Sequence, residues 1–166
     1  VVTLLTLVKT VTTSAVADKK TKNCFTDESR YYFRDSDLDA WLLKNQSSQP
    51  ESQFSVEQLA KSATFKQVVE SFLGVSGDID FLAKTLKERG HVTTLPVIES
   101  LIEQQERGED TGLRTDGWAN FFFVEDKDGS VSVVYARRSV GQWDVSVYRL
   151  AHVIEWRVGN RFFFRN

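Results

Sequence analysis

Residues 161–166 read RFFFRN, and residues 121–124 read FFFV. Side chains on a β-strand point alternately to the two faces of its sheet, so three consecutive phenylalanines put rings on both. Burying each ring is worth on the order of 1.5–3 kcal/mol, and leaving either set in water forfeits that. The fold must therefore cover both faces of the strands that carry these runs.

Outward from the two runs, alternation and β-forming residues prevail, and strands are expected near 118–125, 130–138, 142–149, 152–158 and 161–165. The sequence EDKDG supplies a hairpin turn between the first two, and Gly159-Asn160 a tight turn between the last two. Connections this short imply antiparallel neighbours. Within 142–149, Trp143, Val145 and Val147 share one face while Asp144, Ser146 and Tyr148 share the other.

The preceding stretch has helical spacing. In DSDLDAWLL the three aspartates Asp35, Asp37 and Asp39 imitate the opening of a calcium loop. Ala40 stands where that loop needs glycine, however, and Gln46 where it needs glutamate. The stretch reads instead as a helix start, with Ser36 as cap and acidic groups in the first turn. A second helix is expected from Ser55, paired with Gln58 in a capping box, to Gly74; Val56, Leu59, Ala60, Ala63, Val69, Phe72 and Leu73 form its apolar face. A third, capped by Ser76 or Asp78, ends at Gly90; a fourth carries Pro96 in its first turn and ends before Gly108.

The fold expected from these signals is α+β. A helical N-terminal half of about four short helices, over 36–108, packs on a C-terminal antiparallel meander of about five strands, over 118–165. Residues 35–166 read as one domain, and 1–34 as an N-terminal arm that docks on something or retains part of a secretory signal. Ala15-Val16-Ala17 fits a signal cleavage pattern, whereas Lys9 inside the apolar run does not. The run is too short to span a bilayer as a helix, and no transmembrane segment is expected. The chain contains no methionine, so Val1 is not a translation start.

At 166 residues the chain is long enough to bury a core without metals or disulfides. Its formal charge of −2 offers no concentrated positive field, which argues against nucleic acid as a partner. Cys24 is the only cysteine, so no disulfide forms within the chain. His91 and His152 are the only histidines, and their spacing from Cys24 resembles no zinc site. No cofactor or metal is expected. Cys24 with either histidine is the one nucleophile–base pairing the composition allows, and Asp116, His152 and Glu155 are the acid–base candidates near strand ends.

With helices covering one flank of the sheet, the other flank needs a cover. The N-terminal segment is one, a partner or a second copy of the chain is another, and an aromatic pocket for a small ligand is the third. The candidate binding residues are Phe121, Phe123, Trp143, Trp156, Phe162 and Phe164, with Arg161 and Arg165 at the rim. The leading expectation is a non-catalytic interaction or assembly protein with a protein partner or self-association, in an extracytoplasmic or virion setting. A small-molecule or glycan binding domain using an aromatic pocket on a curved sheet comes second, and a hydrolase of unknown class third.

Overall fold

The computed structural model describes residues 3–166. Its N-terminal part contains β1 (Leu5–Thr13), β2 (Lys19–Lys20), β3 (Tyr31–Arg34), α1 (Asp37–Trp41), β4 (Asn45–Gln46) and β5 (Ser52–Leu59). Three helices follow, α2 (Phe65–Leu73), α3 (Ile79–Glu88) and α4 (Leu95–Glu106). The chain closes with β6 (Ala119–Glu125), β7 (Val131–Ser139), β8 (Gln142–Arg149) and β9 (Arg161–Arg165). Seven of these strands form one mixed sheet in the order β1-β5-β9-β6-β7-β8-β3, and β2 pairs with β4 in a separate ribbon.

This corrects the expected helical N-terminal half on a C-terminal meander. Strands come from both ends of the chain, and β1 and β3 occupy the two edges. The sheet is also not a simple antiparallel meander, because β9 runs parallel to β6 and β3 parallel to β8. The first two residues of the segment read as an arm lie outside the described residues; Leu5–Thr13 within it pairs antiparallel with β5. Residues 152–158, expected as a strand, form a loop with an isolated bridge from Trp156 to Ala63. Gly159-Asn160 therefore makes no hairpin, and β9 inserts between β5 and β6.

Local signals explain where the helices start. Thr64 accepts from the Gln67 backbone N–H at 3.3 Å while the Gln67 side chain accepts from the Thr64 N–H at 2.9 Å, a capping box that fixes the start of α2. The rival Ser55/Gln58 pattern lies inside β5, where Phe54 and Val56 alternate inward and ladder bonds to β1 and β9 satisfy the backbone. Asp78 caps α3 by accepting from Phe81 N at 2.8 Å. At α1 the Ser36 side chain makes no cap bond; Asp35 does this instead, accepting from Asp37 N at 2.9 Å.

The helices divide between the two faces. On one, Phe122 and Phe163 join Phe54, Val56 and Trp143 beneath α4, whose Leu95, Ile98, Leu101 and Ile102 are buried. On the other, Phe121, Phe123, Phe162 and Phe164 lie beneath α2 and α3. All six triplet rings have 0% exposure. The expectation that the chain's helices shield a single flank is corrected, and both flanks are covered from within.

Candidate functional site

Where β7 and β8 extend past the helical cover, the residues of the second face turn polar. Tyr135 and Arg137, two apart on β7, share that face with Asp144 and Ser146, their cross-strand partners on β8. The loop between β8 and β9 folds back over the edge of this surface. It is pinned at Trp156, which exchanges two backbone hydrogen bonds with Ala63, Trp156 N donating at 2.8 Å and Ala63 N at 3.2 Å. The Trp156 ring stacks on Phe65 at 5.2 Å between centroids and meets Phe121 edge-on at 4.8 Å.

Between loop and sheet lies a cleft of about 310 Å³, lined by Gly117, Ala119, Tyr135, Arg137, Ile154, Glu155, Trp156, Arg157 and Asn160. Two buried asparagines tie down the segments around it, Asn160 in the lining and Asn120 on the other face of β6. Asn160 accepts from Ala119 N at 2.9 Å, tying the loop to the start of β6, and Asn120 binds Arg114 through both its backbone N–H and C=O. Arg114 and Arg157 lay their guanidinium groups over the Trp118 ring at 5.4 and 4.7 Å, closing one end of the loop onto the 114–118 segment.

Asp144 is the acidic centre of the polar surface, and Arg137 is its ion-pair partner. Tyr32 donates to Asp144 at 2.8 Å, and the Arg137 Nε lies 3.6 Å from the same carboxylate, an ion pair too long for a hydrogen bond. Burial pushes the Asp144 carboxyl up, against the downward pull of Tyr32 and Arg137. Burial, with Asp144 nearby, pushes the Tyr135 phenol up to about 12, so it remains a neutral donor at physiological pH. Two further donors, Arg137 Nε and Trp156 Nε1, are buried without an acceptor. An aromatic floor with unpaired N–H groups suits a ligand that brings its own acceptor.

The residues expected to bind from sequence distribute unevenly. Trp156 lines the cleft, and Phe121 is buried behind it against the Trp156 ring. Phe123, Phe162 and Phe164 are interior core residues. Trp143 is buried on the opposite face, where its indole N–H donates to Glu106 at 2.6 Å. Arg161 donates to the Gln58 side chain and the Gly112 carbonyl, and Arg165 to the Ser52 hydroxyl. Tyr135, Arg137, Asp144 and Tyr32 are not among the binding residues expected from sequence; the polar face of 142–149 points to Asp144, and only strand pairing brings the other three beside it.

Cys24 packs among the α4-side core residues with its thiol pushed up to about 12 by burial and then by Glu99. His91 meets Phe72 and His152 meets Tyr148, both rings belonging to the other side of the sheet, so neither histidine pairs with Cys24. Of the acid–base candidates, Glu155 lines the cleft and Asp116 is held by Arg114 at 2.6 Å. Among the described residues, no group of three or more His, Cys, Asp or Glu could hold a metal ion, and no helix is long and apolar enough to cross a membrane.

Compared with protein-family models, curated proteins and solved structures, the chain finds no match in any of the three. Function must then be argued from the geometry of the site.

Proposed function

We propose that the protein is a non-catalytic binding module whose cleft takes a small ring-bearing ligand with a carboxylate. The observation that supports this is the pair of buried donors, Arg137 Nε and Trp156 Nε1, left without acceptors at one cleft. A buried donor without a partner costs about 1–3 kcal/mol, and a ligand oxygen seated against it recovers that cost. The guanidinium favours a charged acceptor over a neutral one, and the Trp156 and Tyr135 rings provide apolar contact for a planar skeleton.

Thermal-shift titration with a panel of aromatic carboxylates and their neutral amides tests the reading. Carboxylates are expected to raise the melting temperature saturably and the amides to do so far less. Arg137→Gln removes the charge and weakens binding about tenfold or more, whereas Trp156→Phe keeps a ring, removes one N–H and weakens it less. A panel that leaves the melting temperature of the wild-type protein unchanged rejects the assignment.

A docking surface for another protein is the second reading. It draws on the same loop, where Val153 is 84%, Ile154 47% and Val158 51% exposed beside the cleft. Light scattering across micromolar concentrations separates self-association from ligand binding: a strictly monomeric protein removes a second copy as the partner.

A further inference from the structure

The ribbon β2–β4 and the turn between β6 and β7 enclose a second concavity, of about 480 Å³, lined by Lys20, Thr21, Lys22, Asp39, Lys44, Asn45 and Lys127. We propose that it is a binding site for a compact polyphosphorylated molecule. The proposal stands independently of the cleft beside Trp156.

Four ammonium groups border this pocket against one carboxylate. Asp39 is already neutralised, since Arg34 grips it with two nitrogens at 2.8 and 2.9 Å and holds its carboxyl below the ordinary range. Among the described residues Lys20, Lys22 and Lys44 make no ion pair, although the chain as a whole is net negative. The cluster is built by tertiary structure. Lys20 pairs across the ribbon with Asn45, Thr21 N donates to the Lys44 carbonyl at 3.0 Å, and the backbone N–H of Lys127 donates to Trp41 O at 2.9 Å. Gln46 and Arg34 brace Thr21 from behind, at 3.1 Å to its hydroxyl and 2.8 Å to its carbonyl.

Holding like charges around a hollow raises the energy of the empty protein, and the low-dielectric walls focus the resulting field into the concavity. Lysines act as compact point charges, without the planar fork by which arginine reads a carboxylate. They therefore select charge density, which phosphate groups linked closely together supply. Because the groups are solvent-exposed, the attraction is screened over a Debye length of about 8 Å at physiological ionic strength.

Isothermal titration calorimetry with inorganic tripolyphosphate, orthophosphate and a mixed-sequence single-stranded oligonucleotide tests the site. Tripolyphosphate is expected to bind at a single site, about tenfold or more tighter than orthophosphate, and to weaken as sodium chloride is raised. The double variant Lys22→Gln/Lys44→Gln is expected to lose about tenfold in affinity, while Lys61→Gln/Lys66→Gln, away from the pocket, leaves it unchanged. Neither variant is expected to lower the melting temperature, since all four side chains are exposed, and the Lys22/Lys44 variant relieves part of the repulsion around the hollow. No saturable tripolyphosphate binding, equal binding by the Lys22/Lys44 variant, or binding of the oligonucleotide alone would each overturn the proposal.

Discussion

Phe122 of β6 stacks on Phe163 of β9 across a parallel strand pair, with ring centroids 4.6 Å apart and planes 27° from parallel. On the reverse of the same two strands Phe121 stacks on Phe162 at 4.7 Å and 20°. Parallel pairing puts equivalent positions of the two triplets side by side, so the rings form one layer above the sheet and another below.

Truncating either layer is expected to remove core, not surface. Phe122→Ala and Phe121→Ala should each cost about 3–5 kcal/mol in urea unfolding, as large-to-small changes in a filled interior do. A loss below about 1 kcal/mol for either would show that its ring is not part of a packed core.

Gly159 has φ +103°, and a Cβ there would meet Arg114 Nη1 at 3.2 Å and the Trp118 ring at 3.4 Å. Gly159→Ala is therefore expected to destabilise the protein by about 1–3 kcal/mol and to detach the loop from Trp118. The check is a thermal melt together with tryptophan emission, which should shift as the stacking of Arg114 and Arg157 is lost.

Glu106 opposes burial, which would raise its carboxyl, with hydrogen bonds from Trp143 at 2.6 Å and Arg138 at 3.0 Å, and the outcome is a lowered pKa. A carboxyl lowered on folding adds stability that is present above its unfolded value of about 4.3 and is lost as pH falls through the folded value. Glu106→Gln is expected to lower the melting temperature at pH 7, with the gap to wild type narrowing in acid. A gap that stays constant down to strongly acidic pH would contradict the assignment.

Glu57 behaves in the opposite sense. Burial raises its carboxyl, and Oε2 has no hydrogen-bond partner. A carboxyl raised on folding favours the folded state only where it is protonated, below the unfolded value of about 4.3, and that contribution disappears as pH rises through the folded value. Glu57→Gln is expected to raise the melting temperature at pH 7 and to match wild type in acid, by differential scanning calorimetry. A lower melting temperature at neutral pH would count against the charge penalty.

Parts of this architecture could be read from local pattern. Alternation over 142–149 matches β8, and the cap-and-stop signals of α3 and α4 lie where Asp78 and Pro96 place them. The segment QFSVEQL could not be read this way. Its Ser55/Gln58 pair looks like a helix start, and its apolar residues fit both a period of 3.6 and, at Phe54 and Val56, a period of two. The choice fell to β1 and β9, which flank it and satisfy its backbone groups. Arg137 and Trp156, whose Nε and Nε1 lack a hydrogen-bond acceptor, are nineteen positions apart in sequence and come to line one cleft only when the loop bridges to Ala63.

From the chain alone it followed that two faces of a sheet had to be covered, because period-two geometry leaves three successive rings no way to share one side. Which elements cover them was decided in three dimensions. Ladder bonds between segments such as Phe54 and Arg165 join distant parts of the chain, and the free energy of closing such contacts depends on the whole set forming together. No local window carries that information, so the division of α4 to one face and α2 and α3 to the other, and the cleft left at their margin, belong to the tertiary structure.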